Sequence, residues 1–186
     1  MPVRQDLGTS VIDNLWDVQR IGIEEIGQGQ VLVIDARGDT RAGTMGAILA
    51  IRIYQRGAAG VVTDGAFRDS PVIAEIGITA YAVAMNANTN KTIHHPSEIQ
   101  APIACGGVAV VPNDIIVGDG EGIVVVPASM SGKVAEMAIA MEEKEDFLME
   151  KIRTDASIVG VYPPDEKIIE EYEEWKIKKT NRELVK

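Results

Sequence analysis

Gly57-Ala58-Ala59-Gly60-Val61-Val62-Thr63-Asp64-Gly65-Ala66-Phe67-Arg68-Asp69 is the stretch on which the fold turns. Ala59 to Thr63 is a compact apolar run with β-branched residues, which reads as a buried strand, and Asp64-Gly65 reads as the turn that ends it. The run delivers an arginine and an aspartate side by side to the strand's exit. An arginine grips a planar carboxylate with two parallel hydrogen bonds, and an aspartate carboxylate is a hard oxygen ligand for Mg(II) or Mn(II). Together they suit a small oxo-acid held beside a divalent cation.

Upstream, Val31 to Ala36 reads as a second short buried strand, closed by the turn-like cluster Arg37-Gly38-Asp39. From Thr44 to Arg56 the apolar period becomes helical: Met45, Ile48, Leu49 and Ile53 share a face, Thr44 is the expected N-cap and Gly57 ends the run. Strand, helix and strand make a βαβ unit, whose crossover is right-handed and whose ligands gather at the carboxyl ends of the strands. That edge also holds the first turn of the helix. Backbone amides around Gly46, Ala47, Ile48 and Leu49 lack partners within the helix, and with the helix dipole they attract a carboxylate. An anion site and a candidate metal ligand, Asp69, are therefore expected to converge.

The ordered motifs Asp35-Ala-Arg-Gly-Asp39, Gly46-x-x-Leu49, Arg56-Gly-x-x-Gly-Val-Val-x-Asp-Gly-x-x-Arg-Asp69, Cys105-Gly-Gly-Val-x-Val-x-Pro-x-Asp114-Ile-Ile-Val-x-Asp119 and Gly122-Ile-Val-Val-Val-Pro127 span roughly residues 30 to 150. In this series the chain resembles the 4-hydroxy-4-methyl-2-oxoglutarate aldolases and the related regulators of ribonuclease E activity. The resemblance implies a three-layer β/β/α swivelling domain with a largely antiparallel second sheet, assembled as a trimer or a dimer of trimers. It implies a divalent-metal pyruvate aldolase in which Asp69 binds Mg(II) or Mn(II), Arg68 contacts the pyruvyl group and the Gly46 to Leu49 turn holds its carboxylate. It also implies a glutamate lent by a neighbouring subunit, for which Glu145 is the candidate.

Two positions depart from the family pattern. The aldolases commonly carry acids where this chain has Ala47 and Val72. Both acids would steer metal-bound water, so the expected metal affinity is lower here. Relatives also carry additional helical sequence before the segment with which this chain begins. The expected organisation is one α/β domain over residues 1–156 and a helical extension over 157–186 that packs on a neighbouring subunit.

With 18 basic and 28 acidic residues the net charge is -10, which argues against nucleic acid or an anionic membrane as a partner. The length of 186 residues suffices for a proper core. Cys105 is the only cysteine, so no internal disulfide forms, and it reads as a small buried side chain in place of a nucleophile. No apolar run is long enough to span a bilayer and no secretory leader is visible, so a cytoplasmic location is expected.

The remaining sequence reads as scaffold. Ser70-Pro71 opens a short helix ending at Gly77, and Thr79 to Ala84 resumes as strand. Three β-rich pieces follow, Val108–Val111, Asp114–Val117 and Gly122–Val126, with Gly118-Asp-Gly-Glu-Gly122 as a hairpin turn; it leads into a strand, which excludes helix-terminal phosphate binding. His94-His95 precedes Pro96 and reads as loop. A long helix is expected from Ser131 to about Arg153. Near the C-terminus Ile168, Tyr172 and Trp175 recur at helical spacing among Glu and Lys, which marks a helix laid on another surface.

Against the catalytic reading stands a structural one: Asp69 and Ser70 cap the helix that begins at Pro71, and Arg68 is a surface residue. Residues 1 to 90 contain no lysine, so a Schiff-base aldolase on the βαβ edge lacks its nucleophile unless Lys91 reaches in. The electron sink is then a metal, and oxaloacetate decarboxylation is the expected side activity because it yields the same enolate. A second function from another class, again implied by the resemblance, is a non-catalytic protein that binds ribonuclease E or a helicase. A phosphohistidine carrier has no histidine on the proposed edge.

Overall fold

A computed structural model describes residues 17–183. The chain divides into two compact units, residues 1–127 and 128–186.

In the first unit, helix α1 (Val18–Glu25) precedes strand β1 (Val31–Ile34). Then come β2 (Gly43–Met45), α2 (Ala47–Gln55), β3 (Gly60–Phe67), α3 (Ser70–Ile76) and β4 (Thr79–Met85). All pairings in this sheet are parallel. β4 runs beside β3 from Gly60 to Phe67, whereas β1 pairs with its first half, Val31 opposite Gly60, and β2 with its end, Met45 opposite Phe67. Such a sheet needs crossover connections, and α2 and α3 supply them. All eight residues of β3 are buried, as expected for a central strand covered on both sides. Its Val61 and Phe67 join Ile23 of α1, Ala50 and Ile53 of α2 and Ile73 of α3 in one apolar core.

Two antiparallel hairpins complete the unit: β5 (Ile103–Cys105) with β6 (Val108–Val110), and β7 (Ile115–Gly118) with β8 (Ile123–Val126). The Gly118–Gly122 segment is the turn of the second hairpin, where Asp119 accepts hydrogen bonds from the amides of Glu121 and Gly122. Parallel sheet, separate antiparallel sheets and C-terminal helices together give the expected mixed α/β class.

Several local expectations are corrected. Thr44 does not cap α2; it is a buried strand residue of β2 whose hydroxyl donates to the Ala66 carbonyl, and Gly46 occupies the cap position. The helical period from Met45 misled because an apolar strand residue directly abuts the helix. β3 does not stop at a glycine turn. Gly65 lies inside it, where a Cβ would stand 2.6 Å from Ala36 Cβ, so glycine there admits the neighbouring loop and does not end the strand. β5 is a strand additional to the three expected.

In the second unit, α4 (Ser131–Arg153) has the expected bounds and is followed by a single turn at Ile158–Val161 and by α5 (Glu166–Glu183). The stripe Ile168, Tyr172 and Trp175 packs on Phe147, Leu148 and Val161, so the surface on which this helix is laid includes its own chain. Phe147 lies 5.6 Å from the rings of both Tyr172 and Trp175, and the Trp175 indole N–H donates to Glu150. Aromatic groups of this size form a small core that two helices can close by themselves. Glu145 stands exposed on α4. Among the described residues, no helix is long and apolar enough to cross a membrane.

Candidate active site

The end of β3 and the start of α2 meet because β2 lies between them in space. The Arg68 amide donates to the Met45 carbonyl at 2.9 Å, extending the β2–β3 pairing by one residue, and Met45 is followed at once by Gly46 and the helix. β3 therefore ends beside the first turn of α2. Asp69 then adopts a left-handed backbone, φ 58°, a region in which aspartate is enriched among non-glycine residues. It sits at the N-cap of α3 but makes no side-chain cap bond there.

Its carboxylate turns to the other helix. Asp69 Oδ2 accepts a hydrogen bond from the Ala47 amide at 3.2 Å, and Arg68 Nε lies 3.4 Å from the same oxygen. The first turn of α2 contains no acid of its own, so Asp69 supplies the negative charge that a helix N-terminus attracts. Asp69 thus holds the N-cap position of α3 through its backbone, while its carboxylate caps α2. Gly46 makes the approach possible: a Cβ there would stand 2.7 Å from Asp69 Oδ2 and 3.3 Å from Arg68 Nε and Nη2.

The other residues of the turn divide by exposure. Ala47 is buried, Leu49 packs against the core, and Ile48 is 80% exposed at the mouth. Arg68 and Asp69 side chains retain 39% and 40% of their exposure, so both are open to a ligand. Val72, in the first turn of α3, is 45% exposed. The six expected site residues, Gly46, Ala47, Ile48, Leu49, Arg68 and Asp69, thus share one edge.

Asp69 has one oxygen, Oδ1, without a hydrogen-bond partner among the described residues. No three His, Cys, Asp or Glu side chains gather to hold an ion among those residues. This donor set fits Mg(II) or Mn(II), which keep several waters and are bound through as few as one carboxylate plus substrate oxygens; it does not fit a closed tetrahedral site.

A residue that sequence reasoning missed organises the loops beside β3. Asp64, buried within β3, accepts hydrogen bonds from the amides of Ala36 at 2.7 Å, Gly38 at 3.0 Å and Gly106 at 3.3 Å. One carboxylate thereby ties the loop after β1 and the β5–β6 turn to the central strand. An acid inside an apolar run was the available signal. Locally an Asp-Gly pair has the signature of a turn.

Other candidates stand apart. Lys91 pairs with Asp17 at 3.2 Å. His94 follows a 3-10 turn, its amide bonded to the Asn90 carbonyl; its Nε2 is buried without a partner among the described residues, while His95 is exposed. Cys105 is half-buried, its thiol directed at the Ile34 carbonyl, and burial, with Asp64 nearby, pushes its pKa above the ordinary value. That is the environment of an inert thiol. Asp39, gripped by Arg41 through two nitrogens, is held well below the usual carboxylate range. A concavity of about 970 Å³ in the first unit is lined by Asp35, Arg37, Asn90 and His94 among others, and not by Arg68 or Asp69. The candidate site is placed at the Arg68–Asp69 edge because an acid, a guanidinium and a helix terminus meet there within 3.2–3.4 Å.

This arrangement lies inside the segment matched by known proteins. The RraA-like family, described as Aldolase/RraA, matches residues 9–125. The chain belongs to the RraA-like family. It is 35% identical over 111 residues to the 4-hydroxy-4-methyl-2-oxoglutarate aldolase of Thermus thermophilus, covering 59% of this chain and 66% of the relative. Its fold matches a Streptomyces coelicolor member of the RNase ES inhibitor RraA protein family, with a TM-score of 0.67 at 32% identity over 82% of this chain and 73% of the other. It also matches an uncharacterized protein from Pseudomonas syringae pv. tomato, with a TM-score of 0.72 at 25% identity over 75% and 70% of the two chains. The RraA-like chain spans just under two thirds of the length of its aldolase-named relatives.

Proposed function

We propose that this RraA-like chain is a metal-dependent pyruvate lyase that cleaves 4-hydroxy-2-oxo acids of the 4-hydroxy-4-methyl-2-oxoglutarate type, with oxaloacetate decarboxylation as a side activity. The single observation that carries this reading is the meeting of Asp69, Arg68 and the α2 terminus at one solvent-open edge. The aldolase-named relatives support it.

Asp69 would hold Mg(II) or Mn(II). Bound there, the cation supplies Lewis-acid polarisation of the substrate's keto oxygen. The amides of Ala47, Ile48 and Leu49 receive the substrate carboxylate, using donors that α2 itself leaves unpaired. Arg68 stabilises the negative charge that grows on the keto oxygen as the C3–C4 bond breaks, an interaction stronger in the transition state than before it. The C4 hydroxyl loses its proton to water, its O–H electron pair becomes the new carbonyl, and C3 takes up a proton to release pyruvate. The assembly that accompanies this reading is a homo-oligomer, a trimer or a hexamer.

The test is pyruvate release from 4-hydroxy-2-oxo acids and from oxaloacetate, with and without EDTA. Turnover that survives chelation or Asp69→Ala overturns the scheme. A second reading, a binding protein that regulates a ribonuclease, is favoured by Ala47 and Val72, which leave Asp69 without an acidic companion at either position, and by the likeness to the RNase ES inhibitor family. Capture of ribonuclease E by a protein that releases no pyruvate selects it.

A further inference from the structure

β2 is short, Gly43–Met45, and carries the chain straight into Gly46, so its placement fixes where the α2 terminus stands. On β3 it is held by two bonds: the Thr44 hydroxyl donates to the Ala66 carbonyl at 3.0 Å, and the Arg68 amide donates to the Met45 carbonyl at 2.9 Å. The two backbones are pressed together there. A Cβ on Gly43 would stand 2.7 Å from the Arg68 backbone nitrogen and 2.8 Å from the Arg68 Cβ. Any shift of β2 therefore moves the α2 amides relative to the root of the Arg68 side chain.

Two further bonds reach β2 from distant parts of the chain. The Gly43 amide donates to the Asn88 carbonyl at 2.9 Å, and Gln19 of α1 donates its side-chain amide to the Thr44 carbonyl at 2.6 Å. The Gln19 amide is itself oriented. A carbonyl only accepts, so Nε2 faces Thr44, and Oε1 accepts from Asn90 Nδ2 at 2.8 Å. Asn90 opens the 3-10 turn Asn90–Thr92, and the next residue, Lys91, pairs with Asp17 at the head of α1. Thr44 is buried, and Gln19 and Asn90 are half-buried, so the bond to Thr44 is partly withdrawn from water. Losing it leaves a buried carbonyl without that donor, which the short strand can relieve only by moving.

We propose that Gln19 is a positioning residue for the carboxylate site: its amide, oriented by Asn90, holds the Thr44 carbonyl and thereby sets the α2 terminus against Arg68 and Asp69. The inference rests on the proposed pyruvyl-anchoring role of that edge and adds a residue of α1 that acts on it through β2. The α2 amides grip the substrate carboxylate alike before and during cleavage. Their displacement therefore shows in KM more than in kcat, which a general loss of folded protein would not produce.

The experiment compares three variants of the full chain with Mg(II) present. Gln19→Glu keeps the shape but sets a carboxylate oxygen against the Thr44 carbonyl. Asn90→Asp removes the donor that orients Gln19, so the Gln19 amide turns its own oxygen toward Thr44. Lys91→Met breaks the pair with Asp17 and loosens the same contact between α1 and the 3-10 turn without touching Thr44. Pyruvate is titrated calorimetrically, and pyruvate release from 4-hydroxy-4-methyl-2-oxoglutarate is followed. Gln19→Glu and Asn90→Asp are expected to weaken pyruvate binding and to raise KM by roughly tenfold, with kcat within about threefold of the natural protein. Lys91→Met is expected to stay within about twofold in all three. Where either of the first two fails to fold, Gln19→Ala, which deletes the donor without adding charge, takes its place. Unchanged pyruvate binding in the Gln19 and Asn90 variants overturns the inference, as does a fall confined to kcat or an equal effect of Lys91→Met. Weakened pyruvate binding in the first two variants, with no turnover by any form, sinks the lyase reading and sustains the positioning role. Failure of the natural protein to bind pyruvate overturns both.

Discussion

The carboxylate of Asp69 lies 3.2 Å from the amide of Ala47, 22 positions earlier in the chain, so the protein's own aspartate sits on the helix terminus proposed to receive a substrate carboxylate. Both cannot use that donor at once. A cation that draws Asp69 toward itself frees the amide, which couples the binding of metal and of oxo-acid. In EDTA, pyruvate should bind the natural protein only weakly, and Asp69→Ala should bind it at least about tenfold more tightly because the amide is vacant. With Mg(II) the order should reverse. Calorimetric titration under both conditions checks this, and identical metal-free affinities would remove the competition.

Gly46→Ala should separate function from stability. The glycine backbone is extended, with φ -120°, so an alanine suffers no conformational strain there. Its Cβ would nevertheless press on the Asp69 carboxylate and the Arg68 guanidinium, both ends of movable side chains. Thermal melting should change by less than about 3 °C, whereas pyruvate release should fall roughly 10- to 100-fold as the pair is displaced. A large drop in Tm with unchanged turnover would contradict the packing described.

What could be read from sequence, and what could not, follows from the range of the forces involved. Period and apolar run length are local, so β1, α3, β4, the β7–β8 hairpin and α4 were legible almost to the residue. The meeting of the Gly46 turn with Arg68-Asp69 was legible because parallel βαβ units collect their functional groups on one edge. The role of Asp64 was not, since its three amide partners come from two distant loops and an Asp-Gly pair looks locally like a turn. The direction of the Asp69 side chain was equally hidden: position assigns it to the cap of α3, and only the fold turns it toward α2. The surface that receives Tyr172 and Trp175 likewise depended on α5 folding back on α4.

Asp64→Ala should be costly. The substitution leaves three amides without their acceptor, that of Ala36 buried and those of Gly38 and Gly106 part-buried. An unsatisfied buried donor costs about 1–3 kcal/mol, and because the outer loops can admit water, a total of roughly 3 kcal/mol is expected. For a chain of this size that is a fall in Tm of about 6–12 °C. Asp64→Asn, which keeps one acceptor oxygen, should recover part of the loss. Calorimetry of both variants decides whether the carboxylate ties the loops together.

Cys105 should behave as a protected thiol. Burial, then the nearby Asp64 carboxylate, raise its pKa above the ordinary 9.0. A raised folded-state value means that the native state gains stability from the neutral thiol fully below pH 9.0, and that this contribution is lost as pH rises through the folded-state pKa. Because only the thiolate attacks, iodoacetamide at pH 8 should alkylate the native protein at least about tenfold more slowly than the chain unfolded in urea. Equal rates would show an open, unperturbed thiol.

The last prediction concerns the second unit, whose small core leaves little redundancy. Phe147 is 3% exposed and touches both Tyr172 and Trp175, with Lys151 5.4 Å above its ring. Truncation to alanine removes the ring from both aromatic partners and opens a cavity that α4 and α5, joined by a short connection, can only partly close; the expected cost is about 3–5 kcal/mol. Phe147→Leu keeps most of the volume and loses only the aromatic contacts, so it should cost about 1–2 kcal/mol. Trp175 fluorescence reports the change directly, because its indole is held between Phe147 and the Lys179 ammonium 4.8 Å from its ring. The alanine variant should unfold this signal at lower urea concentration than the leucine variant. Superimposable unfolding curves for natural, leucine and alanine forms would mean that Phe147 does not hold the two helices together.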